Sequence, residues 1–354
     1  MRHDTTATDA GTRKARMVDI AREAGVSLAT VDRVLNGRDG VNAETASRVQ
    51  AVVQRLNYAP NLAASLLSRG RILQFDIVLP AGSNTFIRDL GEAVLAAERD
   101  FTAFGVKPRL HLIEGFDPDA LAKALRRVGR GSDGVGVIAL DHPAVREAVA
   151  ELAAAGVPVA TMVSDLPQSA RIGYVGVDNR AAGRTAGDLM GRFLAGRAGE
   201  VGLIAGSLSY RGHEEREAGF RSVLRERFPN LTVPALVEGH DSVEQRAAVT
   251  ARLLDTHPGL IGLYNIGGGN RGVAEVLRRR PADAPHLVYI GHELTPHTRR
   301  FLVDGVMDAA INQNPRAEAA ETLRLLLGHH TRPAEPAAPA APVRIEIFTR
   351  ENLP

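Results

Sequence analysis

The 354-residue chain has the apolar content of a globular protein (44% hydrophobic, 4% aromatic) and no cysteine, so it is long enough for two or three domains but excludes a disulfide framework, a thiol nucleophile and a Cys-built zinc site. The formal net charge is +2, yet between Met1 and Arg71 eleven Lys and Arg face seven Asp and Glu; the positive excess therefore sits at the N-terminal end, as contact with phosphates requires. No uncharged apolar run reaches the roughly 18 residues of a membrane span, and Met1–Arg16 lacks the apolar core of a signal peptide, which together give the expectation of a cytoplasmic protein without a membrane partner.

Residues 1–14 are polar and read as a disordered tail. Between 15 and 60 the pattern is helical. Ile20, Ala21 and Ala24 form one apolar stripe, and Val31, Val34 and Leu35 form another. Gly25 between them can take the left-handed conformation that ends a helix, and Ser27 can cap the next. Two short helices around a tight Gly turn make a helix-turn-helix. A third helix starts at the N-cap Asn42 and carries Ala46, Val49, Val52, Val53 and Leu56 on one face. Residues 61–70 read as a short hinge helix stopped by Gly70, marginal alone in water.

From residue 71 strands and helices alternate. Strands are expected at Ile72–Leu79, Arg109–Ile113, Gly134–Leu140, Val157–Val163 and Ile172–Val177, with helices at Asp89–Phe104, Pro118–Arg127 and Pro143–Ala155. A second set has strands at Glu200–Ala205, Thr232–Glu238, Gly259–Ile266, His286–Ile290 and Ala309–Asn312, with helices at Glu214–Phe228, Val243–Asp255, Asn270–Arg279 and Pro296–Leu302. Such alternation predicts parallel sheets with right-handed crossovers, in two lobes. Ligands of such sheets bind beyond the carboxyl ends of the strands, which places a site in the cleft between the lobes. Thr331–Pro342 is a Pro/Ala spacer, and Val343–Phe348 reads as a last strand rejoining a sheet.

One motif points elsewhere. Gly267-Gly268-Gly269-Asn270-Arg271-Gly272 satisfies G-x-G-x-x-G between a strand and a helix, with Glu293 about twenty residues on. A dinucleotide loop belongs at the first strand of a nucleotide domain, and His142, His213 and His240 show no catalytic spacing. An NAD-linked oxidoreductase is therefore the weaker reading; no enzyme activity, cofactor or metal is expected.

The string Val26-Ser27-Leu28-Ala29-Thr30-Val31-Asp32-Arg33-Val34-Leu35-Asn36-Gly37, with Val41, Thr45, Arg48, Val49, Leu56–Asn61 and Ala63–Leu67, closely resembles the lactose/galactose-repressor family of transcriptional regulators. The remainder resembles that family's effector domain, shared with ribose-type periplasmic sugar-binding proteins. The resemblance implies an α/β fold class: an N-terminal three-helix helix-turn-helix headpiece and a two-lobed, periplasmic-binding-protein-like (type I) domain of doubly wound parallel sheets. It places lobe 1 at about 71–178 and 310–330, and lobe 2 at about 179–309 and 343–354.

The family implies a homodimeric repressor on a palindromic double-stranded DNA operator, switched by a small-molecule effector such as a sugar or polyol. By position, Leu28, Ala29 and Arg33 match base-reading residues, and Ser27 belongs to the same contact set. Thr30, Asn36 and Thr45 match phosphate contacts. Leu67 matches the hinge leucine that wedges the minor groove. Two positions depart from the family: Asp32 stands where Ser is usual, and Arg16 where Ser or Thr caps the first helix, a loss of about 1 kcal/mol unless another residue substitutes. In the cleft the resemblance carries over Asn84, Phe86, Arg216, Glu293 and Gln313, together with Ser164 or Asp165 at the end of a first-lobe strand; Tyr210, Asn265, Asn270 and His292 are looser candidates at strand ends. A periplasmic-type sugar-binding protein without DNA function is the runner-up, opposed by the helix-turn-helix.

Overall fold

The computed structural model describes residues 15–35, 39–56, 58, 72–82, 84–240, 242–331 and 343–354. The expected tail 1–14, Asn36, the hinge 61–70 with Leu67, and the spacer from 332 to 342 lie outside the described residues. The chain divides into two compact units, Met1–Arg71 and Ile72–Pro354.

The first unit contains α1 (Met17–Ala24), α2 (Leu28–Leu35) and α3 (Ala43–Arg55). Gly25 ends α1 at φ 65°, ψ 37°, a left-handed conformation that costs glycine little. Ser27 Oγ accepts the Thr30 N–H at 3.1 Å and starts α2; Asn42 Oδ1 accepts the Thr45 N–H at 2.8 Å and starts α3. At Arg16 the side chain caps nothing, but Asp19 in the first turn accepts the Arg16 N–H at 2.9 Å. Half of the lost cap is thus replaced, by a carboxylate that also suits the positive end of the helix dipole. Ile20, Ala21, Ala24, Val31, Val49 and Val52 form the buried core, with Val34, Leu35, Val53 and Leu56 packed against it. Arg48 Nε donates to Ala24 O at 3.0 Å and satisfies a carbonyl at the end of α1.

The second unit holds two sheets. In the first, β1 (Leu73–Ala81), β2 (Val106–Glu114), β3 (Gly134–Val137), β4 (Val159–Met162) and β5 (Gly173–Val175) run parallel in the order β2-β1-β3-β4-β5. The accompanying helices are α4 (Thr85–Phe101), α5 (Pro118–Val128) and α6 (Pro143–Ala154). Helix α7 (Asn179–Phe193) opens the second lobe. There β6 (Gly199–Ala205), β7 (Leu231–Thr232), β8 (Leu236–Glu238), β9 (Leu260–Asn265), β10 (Val288–His292), β11 (Ala309–Gln313) and β12 (Ile345–Phe348) form one sheet, ordered β12-β11-β10-β9-β6-β7 with β8 also on β6. The last strand is antiparallel to β11. Helices α8 (Arg211–Arg227), α9 (Val243–Thr256), α10 (Asn270–Arg278) and α11 (Pro296–Val303) complete it, and α12 (Pro315–Thr331) follows β11. Strands such as β3, β4 and β10 are buried along their whole length, as parallel strands covered on both faces must be.

Three expectations need correction. The strand expected at Thr232–Glu238 is two short strands, because Pro234 between them cannot donate to a ladder. The return to the first lobe does not begin at 310: β11 is hydrogen-bonded in register to β10 in the second sheet, and only α12 packs on α4 and on strands of the first. A buried apolar strand has the same pattern in either sheet, so its residues could not say which one it joined. Finally, α7 and α12 were not anticipated as helices. Helix α7 has glycine at 183, 187 and 191, each costing about 1 kcal/mol of helix propensity.

Those glycines are required by the neighbouring helix. A Cβ on Gly183 would lie 1.9 Å from the carbonyl oxygen of Arg216 in α8, and one on Gly219 of α8 would lie 2.2 Å from Arg180 O. The two backbones meet with no side chain between them, and that approach fixes where Arg216 emerges. Gly183→Ala should therefore lower stability by about 1–3 kcal/mol or more, as overpacking does, read as a fall in the urea midpoint. A midpoint equal to that of the native protein would contradict the close contact.

Candidate functional site

The head exposes one end of α2. Leu28 is 50% exposed, and Ala29 and Arg33 are also exposed, while Val31 turns into the core. Ser27 is exposed but its hydroxyl is committed to the α2 cap and to Thr30 Oγ1 at 2.9 Å. Thr30 and Thr45 are half-buried, Thr45 with its N–H on Asn42. Asp32 is half-buried. The outward set Leu28, Ala29 and Arg33 offers two apolar contacts and one planar guanidinium, on a short helix held by the Gly25 turn against α1. Asn36 and Leu67, expected to join this surface, lie outside the described residues.

The second site is a cleft between the lobes, with about 550 Å³ of empty space including its open mouth. Its walls come from the carboxyl ends of strands and the loops beyond them: Pro80, Ile138, Val163 and Ser164 from the first lobe, Gly267, Gly268, Glu293 and Gln313 from the second. Asn84, Phe86 and Ile87 at the start of α4 face Tyr210, Gly212, His213 and Arg216 at the start of α8. Asn84 accepts the Phe86 N–H at 3.1 Å and caps α4. The lobes touch beside the cleft: Asp141 N donates to Ser209 O at 3.0 Å, Phe116 meets the edge of Tyr210 at 5.5 Å, and Gly212 N reaches Ser164 Oγ at 3.4 Å.

Arg216 organises the floor. It is 4% exposed, and each guanidinium nitrogen has a partner: Nε donates to Asn179 Oδ1 at 2.7 Å, Nη1 to Ile266 O at 3.0 Å and Nη2 to Gln313 Oε1 at 3.2 Å. Gln313 Nε2 in turn donates to Glu293 Oε1 at 2.7 Å. On the other side Asn179 Nδ2 donates to Tyr174 Oη at 3.1 Å and Val163 O at 3.2 Å. Two residues of this floor have left-handed backbones, Val163 at φ 62° and Glu293 at φ 72°. A β-branched residue there is strained, and the turn aims the Val163 carbonyl at both Tyr174 and Asn179.

Burial sets the charge states. Glu293 is pushed up to about 7 by desolvation, against the pull of Arg216 and the Gln313 hydrogen bonds. His213 is pushed down to about 3 by burial and then by Arg216; its Nδ1 lies 2.8 Å from Ser207 O, which suits a neutral ring carrying its proton there. His292 is also held well below its ordinary value by burial and Arg216, with Nε2 2.7 Å from Tyr264 Oη. Arg216 is thus the firm positive charge of the floor, Glu293 is its titratable acid, and the remaining polar groups are neutral donors and acceptors. That set matches hydroxyl groups, which both donate and accept.

Six of the expected cleft residues, Asn84, Phe86, Ser164, Arg216, Glu293 and Gln313, come together here, with the looser candidate Tyr210. Two do not. Asp165 turns away from the cleft into a fork with Arg171, Nε and Nη2 each at 2.6 Å, and also accepts from Thr161 Oγ1 and Leu166 N. Asn265 is fully buried, and its amide donates to Gly267 O, Gly268 O and Asn270 Oδ1. Both sit at strand ends, but local partners capture their side chains. Asn270 and Thr295 border a smaller extension of the mouth with Arg271 and His297. Asn179 and Val163 were missed: Asn179 starts a helix hidden by its glycines, and nothing in a Val-Ser pair signals a left-handed backbone. Among the described residues no group of three or more His, Asp or Glu is placed to hold a metal ion, and no helix is long and apolar enough to cross a membrane.

Residues 75–330 match the periplasmic binding protein domain family, and residues 16–61 match the bacterial regulatory proteins, lacI family. Catabolite control protein A of Staphylococcus aureus is 27% identical over 247 residues, 69% of this chain and 71% of that protein. Among solved structures, a glucose-galactose binding protein from Geobacillus stearothermophilus superposes with TM-score 0.72 at 23% identity, covering 80% of this chain and 99% of that one. A transporter solute-binding protein from Burkholderia graminis, in complex with D-arabinose, gives 0.73 at 24%, covering 79% and 96%. At these identities the two structures establish a shared fold.

Asn179→Ala would leave the buried Arg216 Nε without its acceptor and take a hydrogen bond from Tyr174. It should cost about 1–3 kcal/mol in the denaturant midpoint, and an unchanged midpoint would remove Asn179 from the floor.

Proposed function

Because the chain belongs to the periplasmic binding protein domain family and begins with a head of the bacterial lacI regulators, we propose that it is a transcriptional repressor that binds an operator in double-stranded DNA and releases or holds it according to a sugar or polyol in the cleft. The observation that carries this reading is the outward set Leu28, Ala29 and Arg33 on a capped helix of a basic head. A second helix of a helix-turn-helix lies in the major groove, where a planar guanidinium bridges guanine O6 and N7 and apolar side chains touch thymine methyls. Ser27, Thr30, Asn36 and Thr45 are assigned to the surrounding backbone and phosphate contacts, and Leu67 to the minor groove. One such helix reads a half-site only, so the protein acts as a homodimer on a palindrome.

The cleft belongs to the sensor. Asn84, Ser164 and Gln313 supply neutral polar groups, Phe86 and Tyr210 apolar faces, Arg216 a fixed cation and Glu293 paired acceptor oxygens. Hydroxyl-rich ligands are supported by that residue chemistry and by the sugars that the two proteins of the same fold bind, glucose and galactose in one and D-arabinose in the other. Effector binding shifts the equilibrium between two lobe arrangements that differ in operator affinity. No acid–base pair is assigned a catalytic task.

Arg33→Ala should relax operator discrimination at one position by about 1–3 kcal/mol; a binding-site selection that recovers the same preferences would refute the assignment. Arg216→Ala should leave operator binding in place while abolishing its response to a panel of pentoses, hexoses and inositols. Retained response would move the sensor elsewhere.

A further inference from the structure

Glu318 lies in the first turn of α12, five residues beyond Gln313, and is 0% exposed. Both carboxyl oxygens are buried without a hydrogen-bond partner. A carboxylate there would be shut off from bulk solvent with no counter-charge in contact, so a neutral acid is the form such a position tolerates. Its charged and titratable neighbours come from three elements: Glu293 at the end of β10, Arg216 of α8 and Tyr174 of β5. Two of these are already committed. Tyr174 Oη is held among Val163 O, Val177 O and Asn179, and the Arg216 nitrogens are taken by Asn179, Ile266 O and Gln313. The third, Glu293, is itself an acid. Burial pushes Glu318 well above the ordinary carboxyl range and Glu293 pushes it further, against the pull of Arg216.

Two buried carboxyl groups therefore share the field of one guanidinium. They are not equivalent. Glu293 accepts from the Gln313 amide and lines the cleft, so it can be ionised once hydroxyl groups donate to it. Glu318 has no donor within reach and does not line the cleft. We propose that Glu318 is a positioning residue of the sensor: kept a neutral acid by a fully buried site with no partner for its carboxyl, it leaves the charge of Arg216 to be balanced by Glu293 alone, and so makes filling of the cleft a proton-linked event. Hydrogen bonds from a ligand favour the ionised form of Glu293. A hydroxyl-bearing ligand thus expels the Glu293 proton, and its binding tightens as pH rises through neutrality. With both acids accounted for, Glu293 and Arg216 cancel, and the ligand that fits is a neutral polyol.

The inference rests on the cleft being the ligand site, but its first test needs no ligand. A folded state that holds these protons more tightly than the unfolded chain loses stability as pH rises. From the ordinary carboxyl range upward the urea midpoint of the full-length protein should fall as pH rises; the fall slackens near neutrality, where folded Glu293 releases its proton, and what continues above that comes from Glu318. Glu318→Gln, a neutral copy of the protonated acid, should make the fall shallower and remove its continuation above neutrality, leave the break near neutrality in place, and remove a protonated-carboxyl band from the infrared spectrum at neutral pH. Glu293→Gln should instead end the remaining fall at lower pH, since the repelling charge is gone. A Glu318→Gln protein that keeps the full fall and the full band would overturn the proposal, as would one that shifts the break near neutrality to lower pH. Glu318→Met, also uncharged, serves as a second variant and should give the same pH profile if the Gln form folds poorly. In the second arm D-ribose, D-arabinose, D-galactose and myo-inositol are tested by thermal shift at pH 6 and pH 8. Larger shifts at pH 8 are expected, and equal shifts overturn the linkage. No shift with any of them would tell against the polyol-sensing reading, while the ligand-free titration would still decide the state of Glu318.

Discussion

A buried guanidinium is costly unless its nitrogens find acceptors, and meeting that condition at Arg216 dictates much of the second unit. Its three partners come from three separate places: Asn179 where the chain first enters the second lobe, Ile266 just past β9, and Gln313 where the chain is about to leave that lobe. Removing any one would leave charge facing an unfilled position in a low-dielectric floor. The cleft floor is therefore set by the need to solvate one side chain with protein groups, before any ligand is considered.

The fold is arranged to deliver that side chain. Helices α7 and α8 approach until the Arg216 carbonyl occupies the space a Cβ on Gly183 would need, so the glycines of α7 exchange intrinsic helix propensity for the position of a charge on the neighbouring helix. The left-handed turn at Val163 serves the same end from the first lobe, since its carbonyl anchors Asn179, which holds Arg216. Strain, poor propensity and a buried ion concentrate around one residue, the pattern expected where function rather than stability set the sequence.

How much of this could be read from the residues depended on how local the cause was. The head was legible because Gly25, Ser27 and Asn42 act within a few residues of themselves, and the apolar stripes at 20–24 and 49–52 have the helical period. The alternation of strands and helices was legible for the same reason. Helix α7 was not, because the reason for its glycines lies on α8, about thirty residues away. Asp165 and Asn265 were misplaced because standing at a strand end does not fix a side chain's direction: Arg171, six residues on, draws Asp165 aside, and Asn265 turns to the carbonyls of its own loop. Glu318 gave no signal, since a lone Glu among alanines reads as a solvated helix face.

The glycine-rich loop at 267–272 shows the same logic in the other half of the second lobe. A phosphate cradle needs backbone N–H groups open to a ligand. Here a Cβ on Gly269 would lie 2.7 Å from Arg246 Nε, and one on Gly272 would lie 2.3 Å from Val243 O, so the glycines make room for protein. Arg246 is fully buried and donates to Ala205 O, to Asn265 Oδ1 at 3.3 Å and to His240 O. It does for the ends of β6 and β9 what Arg216 does for the loop after β9 and the end of β11: it gives buried oxygens at the carboxyl edge of a parallel sheet a donor that water cannot supply. The motif G-x-G-x-x-G is then the footprint of a buried arginine against a helix start, and the wall it forms is firm enough for Gly267 and Gly268 to border a cleft without themselves presenting a side chain to it.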